Sequence, residues 1–455
     1  MIKLYPYQED GISLIKKFNG RALLSDEMGL GKTFQALSWI HQNNKWPAVV
    51  VCPAHLKWVW YSEALSKLGI RGNVLNGNNP SKIIIPVKNK LTIINYDILG
   101  GWKKQIKKIK AKTLVIDECH YIKNLNVLRT KRILNIAKKI PHIIAISGTP
   151  LLSRPIELFP VLHLLRKDLF PSFWDFAFRY CKPKATPHGW IYKGSDNLNE
   201  LHSKLKRNMM IRRLKKDVMK ELPDKTRQVI PVDIENMNEY QQAEKDFIKW
   251  LKKISISKAL KANRTIVISK IGYLKRLSSQ LKLKNIHQWI DNFLEESDQK
   301  LVIFGIHKKI LKDIYNKHKS ISVKIDGDTS QKKRKTAVKQ FQTNKKTRLF
   351  IGNIIAAGTG ITLTSAYNTL FVEMDWNPGN HIQAEDRTHR IGQKNAAFYY
   401  YLVAKNTIEE KLCEIIQNKQ NIISSTLDGS NKTKLKLDVF NLLQKQIVKG
   451  NKKCH

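Results

Sequence analysis

Acidic residues are in short supply. Against 81 lysines and arginines, the 455-residue chain carries 37 aspartates and glutamates, for a formal net charge of +44. A chain this basic meets a polyanion, and nucleic acid is expected ahead of an anionic membrane. Lysine, asparagine and isoleucine are abundant throughout, as an AT-rich coding sequence would produce, so part of the charge is compositional. Cysteine is also scarce. The five residues Cys52, Cys119, Cys181, Cys413 and Cys454 form no CxxC pair, which argues against a zinc site or a disulfide framework and for a reducing compartment. Long apolar runs are missing: AVVVC and LVIFGI are strand-length and too short to span a bilayer. The N-terminus MIKLYPYQED lacks the apolar segment of a signal peptide. The expected location is cytoplasmic, or nuclear if the source is eukaryotic, and not secreted. What is present is 42% hydrophobic residues, enough for a substantial core and for two or three domains.

Short apolar runs alternate with helical patterns in two separate stretches. The first holds ALLSD (22–26), AVVVC (48–52), LTIINY (91–96), TLVIDE (113–118) and HIIAIS (142–147). The second holds KLVIFG (300–305), SVKIDG (322–327), RLFIGN (348–353) and TLFVEMD (369–375). Such alternation predicts βαβ units on a parallel sheet, twice over. Nearly continuous apolar runs are what strands covered on both faces require. The middle, roughly 151–297, is mostly helical in pattern and rich in Lys, Arg and aromatics, and no solenoid-period repeat is visible.

Several motifs carry chemistry. DEMGLGKT (26–33) lies between an apolar run and a helical pattern, the context of a phosphate loop. Lys32 would reach the β/γ-phosphates and Thr33 would place its hydroxyl on Mg²⁺. Asp26 stands where the generic pattern has glycine. DECH (117–120) ends another strand: Asp117 would hold the metal, directly or through water, and Glu118 would orient the attacking water. The competing reading is an acidic pair at a helix N-terminus. SGTP (147–150) ends the next strand and could sense phosphate state, or could be a simple turn. Gln8, in LYPYQEDG, could read an adenine edge.

Taken in order, DEMGLGKT, DECH, SGTP, GTGITLTSA (358–366) and QAEDRTHRIGQ (383–393) resemble the Snf2 family of superfamily 2 helicase-like ATPases, over about residues 1–425. In that family the phosphate loop itself begins Asp-Glu. IRRLKKDVMKELPDK and WNPGNHIQAEDRTHRIGQ are also typical of it, and DECHYIKN and IDGDTS look most like the branch of annealing helicases that remodel forked DNA. The resemblance implies an α/β fold of two RecA-like parallel-sheet lobes with helical insertions. The expected division is lobe 1 at 1–230, including a helical insertion about 151–230; a helical protrusion and linker at 231–297; lobe 2 at 298–425; and a basic tail at 426–455. It implies ATP and Mg²⁺ as ligands. Gly29, Gly31, Gly360 and Gln383 join Gln8, Lys32, Thr33 and Asp117 as nucleotide-binding residues. Arg387 and Arg390 become arginine fingers that act with Lys32 and Glu118 in catalysis. Otherwise the pair would be a solvated helix face.

By the same resemblance, hydrolysis is coupled to lobe closure and drives translocation on double-stranded or forked DNA by a monomeric motor. Expected DNA contacts are Pro53, His55, Lys57, Ser147 and Thr149 in lobe 1, and Thr359, Thr362 and Trp376 in lobe 2. They would hold phosphates rather than read bases. Trp58 and Trp60 read as core. Arg212, Arg213, Lys215 and Lys216 read either as a brace against DNA or lobe 2, or as a solvated helix face. The rival functions are a strand-separating DNA or RNA helicase, which shares the core, and a non-catalytic nucleic-acid-binding protein. The presence of Lys32, Thr33, Asp117, Glu118, Arg387 and Arg390 speaks against the second.

Overall fold

The computed structural model describes residues 4–429, apart from 79, 81–89, 188, 193, 220, 254–262 and 359. For 247–253, 263–270, 414, 415 and 417 it describes the backbone alone. The chain divides into two compact units: one runs to Glu221 and takes in the stretch from Lys419, the other is Leu222–Asn418.

The first unit is built on strands β1 (Arg21–Leu24), β2 (Ala48–Cys52), β3 (Gly72–Val74), β4 (Leu91–Asn95), β5 (Thr113–Asp117) and β6 (His142–Ile146). A small antiparallel hairpin follows, β7 (Lys184–Thr186) and β8 (Gly189–Ile191), and then the two-residue β9 (Met210–Ile211). The seven-stranded sheet has the order β3-β4-β2-β5-β6-β1-β9, and every pairing in it is parallel. Successive side chains on a strand point to opposite faces. Thus Val49 and Val51 of β2 join one core with Leu114 and Ile116, while Ala48, Val50 and Cys52 join another with Val115 and Ile144. Helices cover both faces, which is why these strands are apolar along their whole length.

The second unit carries β10 (Lys225–Val232), β11 (Leu301–Gly305), β12 (Ser322–Ile325), β13 (Leu349–Asn353), β14 (Asn368–Phe371) and β15 (Ala397–Ala404). Their order is β10-β15-β14-β11-β13-β12, again all parallel. Val302 and Phe304 face one core, and Leu301 and Ile303 the other. The chain is therefore an α/β protein of two RecA-like parallel-sheet lobes.

Some boundaries differ from the sequence expectation. Residues 225–230, assigned above to lobe 1, lie in β10 and pair with β15 of the second sheet. Lys225, Arg227 and Pro231 hide this strand from an apolar-run search, but its place at the sheet edge tolerates them. The segment 151–221 contains β7, β8 and β9 besides helices. The helix Ile408–Leu427 begins in the core of the second unit with Leu412, whereas Ile423 and Leu427 belong to the core of the first. The tail from 430 on lies outside the described residues. Cys52, Cys119, Cys181 and Cys413 are all buried, and no described helix is long and apolar enough to cross a membrane.

A buried carboxylate pins the crossover after β11. Glu373 is 1% exposed and accepts from Ile306 N (2.7 Å), His307 N (2.8 Å) and Ser279 Oγ (2.8 Å), and it pairs with the His307 ring. Burial alone would push this carboxyl up, but the His307 ring and the two backbone amides outweigh it and bring it down to about 2. A carboxylate depressed on folding contributes stability above its ordinary value and loses it as pH falls through the folded value. Here the window runs from about 4.5 down to about 2. Glu373→Gln is expected to lower the unfolding free energy at pH 7 by about 1.5–3 kcal/mol. It should also flatten the acid loss across that window in urea titrations.

Candidate functional site

Because β5, β6 and β1 are neighbours in the first sheet, the loops leaving their C-terminal ends lie side by side. These loops carry DECH, SGTP and DEMGLGKT. Sheet order thus gathers three motifs that are far apart in the chain.

The phosphate loop leaves β1 at Ser25 and enters the helix Lys32–Gln42. Gly29 (φ 84°) and Gly31 (φ 72°) both adopt the left-handed region. Gly31 is the N-cap of that helix and no side chain caps it, so the first-turn amides have no acceptor within the helix and point outward, as an anion site requires. A Cβ at Gly31 would fall 2.4 Å from Gln8 Nε2. Lys32 Nζ donates to the carbonyls of Asp26 (2.7 Å) and Glu27 (3.2 Å). Gln8 is buried behind the loop: its Nε2 donates to Leu30 O (3.3 Å) and its Oε1 accepts from Tyr5 N (3.1 Å). Both ends of this amide are thus held inside the protein.

At the end of β5 two adjacent carboxylates are held in different ways. Asp117 Oδ2 accepts from Trp60 Nε1 (2.7 Å) and Oδ1 from Glu118 N (3.0 Å), and Tyr96 OH donates to Asp117 O (2.6 Å). Glu118 has φ 50°, a strained conformation for a non-glycine residue and one concentrated at functional sites. Its Oε2 accepts from Ser147 Oγ (2.9 Å) and meets His120 Nδ1 at 3.2 Å. His120 Nδ1 also lies 3.2 Å from Ser147 Oγ, which accepts from Thr149 N (3.2 Å). Burial, reinforced by the Glu118 charge, raises the Asp117 carboxyl. Burial opposes ionisation of Glu118 too, but His120, Lys32 and the Ser147 hydroxyl outweigh it and hold that carboxyl low. The SGTP turn abuts the phosphate loop, since a Cβ on Gly148 would sit 2.5 Å from Met28 Cγ and 3.3 Å from Lys32 Nζ.

These residues suit a phosphate ester with a divalent cation. The first-turn amides and the Lys32 ammonium would meet anionic oxygens, and Thr33 and Asp117 would offer hard oxygen ligands. Among the described residues there is no group of three or more His, Cys, Asp or Glu able to hold a metal.

In the second unit, Arg387 and Arg390 follow the helix Pro378–Glu385 and converge on the GTGITLTSA turn. Arg387 Nη1 donates to Ile361 O (3.2 Å) and its Nε to Gln383 O (2.9 Å). Arg390 Nη1 reaches Ile361 O (3.4 Å) and Thr362 Oγ1 (2.9 Å). Gln383 is buried and Gly360 exposed.

Several expected DNA contacts are engaged inside the protein. The Lys57 ammonium is buried and donates to Leu75 O (2.8 Å) and Asn76 Oδ1 (2.6 Å), so it is not presented to a polyanion. Pro53 and Thr149 are buried. The Ser147 hydroxyl serves Glu118, and Thr362 accepts from Arg390. His55 and Trp376 stay partly exposed, and Lys275 Nζ stands 5.4 Å from the Trp376 ring centroid. Thr359 lies outside the described residues. Trp58, read as core, is 46% exposed, whereas Trp60 is 1% exposed and serves Asp117. Of the basic run, Lys216 is exposed, whereas Arg212 and Arg213 are not a solvated face: both turn inward onto the phosphate loop and its neighbours. Sequence reasoning gave no role to Tyr96 or His120, read Trp60 only as core and assigned Arg213 a different one; Trp60 and Tyr96 act through Asp117, Arg213 through Asp26 and His120 through Glu118 and Ser147.

The geometry agrees with what the chain resembles. A model of the SNF2-related domain matches residues 7–292, and one of the helicase conserved C-terminal domain matches 281–392. The SWI/SNF-related matrix-associated actin-dependent regulator of chromatin subfamily A-like protein 1 of Xenopus laevis is 36% identical over 439 residues, covering 92% of this chain and 44% of that protein. The human DNA annealing helicase and endonuclease ZRANB3 is 34% identical over 448 residues, covering 94% of this chain and 40% of that protein. The chain thus spans less than half the length of either relative. A Sulfolobus solfataricus SWI2/SNF2 ATPase core in complex with dsDNA aligns over 96% of this chain and 97% of its own, at 24% identity and a TM-score of 0.45. With the domain match extending over most of its length and its phosphate loop, carboxylate pair and SGTP turn gathered at adjacent strand ends, this chain belongs to the SNF2 family of helicase-like proteins.

Proposed function

We propose that the chain is a DNA-dependent ATPase that tracks along double-stranded or forked DNA and remodels it, by fork remodelling, strand annealing or protein displacement. The observation that carries this reading is the convergence of Lys32, Asp117, Glu118 and Ser147 at the C-terminal ends of adjacent parallel strands. Support for the DNA comes from the net charge of +44, from solvated lysines such as Lys103, Lys107, Lys332 and Lys335, and from the DNA-acting relatives.

In this reading the outward amides of the loop and Lys32 bind the β- and γ-phosphates. Thr33 and Asp117 would hold Mg²⁺, which neutralises charge on the phosphate oxygens. Glu118, kept ionised and aimed by Ser147 and His120, orients water for in-line attack on the γ-phosphorus, and the bond to the ADP oxygen breaks. Arg387 and Arg390 act as arginine fingers toward the nucleotide, a contribution of about 10³–10⁵ in rate. Gln8 reads the adenine edge, and Gly360 and Gln383 complete the nucleotide contacts. Because the fingers belong to the second unit, hydrolysis becomes conditional on lobe closure, and repeated closure moves a monomeric motor along DNA. His55 and Trp376 are the proposed DNA-facing residues among the sequence candidates.

The test is the steady-state ATPase rate without nucleic acid and with single strands, duplex, forks and RNA. Duplex or forked DNA should stimulate hydrolysis. Lys32→Ala should abolish it, and Arg390→Ala should lower kcat by about 10³ or more. Stimulation by single strands or RNA alone would support a strand-separating helicase instead. No hydrolysis with any of them would support a non-catalytic binder. Duplex binding should also weaken with salt, log K falling against log salt by about 0.9 for each phosphate neutralised. A flat response across a salt titration would contradict a phosphate-tracking footprint.

A further inference from the structure

Two buried arginine–carboxylate pairs lie on the segment that leads out of the first unit and into the second, and the proposed chemistry uses neither directly. In the first unit, Arg213 grips Asp26, the first residue of the phosphate-loop motif. Its Nε donates to Oδ1 (3.0 Å), its Nη2 to Oδ2 (2.6 Å) and its backbone N to Oδ1 (3.0 Å). Gln35 joins them, with Nε2 donating to Asp26 Oδ2 (3.1 Å) and Oε1 accepting from Arg213 Nη2 (2.8 Å). Asp26 is 0% exposed. The neighbouring loop residues are tied to the same segment. Ser25 N donates to Ile211 O (2.8 Å) and Glu27 N to Arg213 O (2.9 Å), while Glu27 Oε2 accepts from Lys215 N (2.8 Å). Arg212 Nη1 bridges Ser25 O (2.8 Å) and Gly148 O (3.1 Å), joining the loop to the SGTP turn.

The segment runs on into β10. There Arg227 donates to both oxygens of Glu385, helped by Lys225 Nζ (3.3 Å) and Tyr401 OH (2.8 Å). Glu385 is 1% exposed. It ends the helix that leads into Arg387 and Arg390, and its backbone oxygen accepts from Tyr399 OH (2.9 Å) and Thr388 Oγ1 (3.1 Å).

Buried ion pairs are poor devices for stability alone, because apolar residues of similar volume often stabilise as well or better. What a forked guanidinium supplies is direction, since it fixes both oxygens of a carboxylate at once. Here each fork is aimed at a residue within or beside a proposed catalytic motif. We propose that Arg213 and Arg227 are positioning residues for ATP hydrolysis: Arg213 sets the phosphate loop through Asp26, and Arg227 sets Arg387 and Arg390 through Glu385. This rests on the ATPase reading above.

Arg213→Lys and Arg227→Lys keep the charge and lose the fork. Gln35→Met and Tyr401→Phe are milder versions of the same two changes, available should the arginine variants fail to fold. Arg179→Ala, in an exposed pair with Glu200, serves as the control. Nucleotide Kd is read by titrating fluorescent ADP, and KM and kcat by steady-state hydrolysis with duplex DNA, at unchanged Tm. Arg213→Lys and Gln35→Met should raise Kd and KM together, by about tenfold for the former, with a smaller effect on kcat. Arg227→Lys and Tyr401→Phe should leave Kd within about twofold while Arg227→Lys lowers kcat by about tenfold. Both magnitudes are modest beside the roughly 10²-fold cost of a 1 Å misplacement. The proposal is overturned if wild type hydrolyses ATP, Lys32→Ala does not, and the positioning variants keep wild-type constants or lose KM and kcat together in step with Tm. A wild type that neither binds nucleotide nor hydrolyses it would overturn the ATPase reading itself, and this inference with it.

Discussion

A phosphate loop can bind anions only if its amides face outward, so everything that holds it must hold it from behind. This constraint organises the first unit. The loop cannot satisfy itself with a side-chain cap, because a cap would occupy the amides that the substrate needs; Gly31 fills that position without one. The Asp26 and Glu27 carbonyls turn to Lys32, and the Asp26 and Glu27 side chains turn to the segment around β9. A strand of only two residues at the edge of the sheet is thereby given a function out of proportion to its length. It brings a rigid cation and several backbone groups to the back of the loop.

The carboxylate pair obeys a related rule. Two adjacent ionised groups repel, and burial makes ionisation of both costlier. The left-handed backbone at Glu118 and separate sets of partners resolve the conflict. Asp117 is tied to Trp60 and to the Glu118 amide, and Glu118 to Ser147 and His120. Environment thus separates two chemically similar groups, and in the proposed hydrolysis one would hold a cation and the other a water molecule.

Much of this fold could be read from the chain because parallel strands covered on both faces must be apolar end to end. β2, β5, β11 and β13 announce themselves in that way. β9 is too short to carry a pattern, and β10, an edge strand with Lys225, Arg227 and Pro231, carries the wrong one. The site divides similarly. Lys32, Asp117 and Glu118 lie in motifs whose chemistry is local, so residue type and spacing point to them, whereas Arg390 is marked only by the family resemblance. Ser147, Lys57 and Arg213 show the limit of that approach. A hydroxyl, an ammonium and a guanidinium in basic surroundings all suggest phosphate contacts. Their partners, Glu118, Asn76 and Asp26, are supplied by sheet order and loop packing that no stretch of local sequence encodes.

In the proposed function the gathered loops of the first unit form a hydrolytic site in which Glu118 handles water and is not required to bind the nucleotide. The most direct measurement is single-turnover ATP hydrolysis by Glu118→Gln with duplex DNA, paired with its nucleotide Kd. The expected result is a Kd close to that of wild type and a hydrolysis rate lower by about 10² or more, the usual contribution of a positioned general base. Hydrolysis within a few-fold of wild type would contradict it.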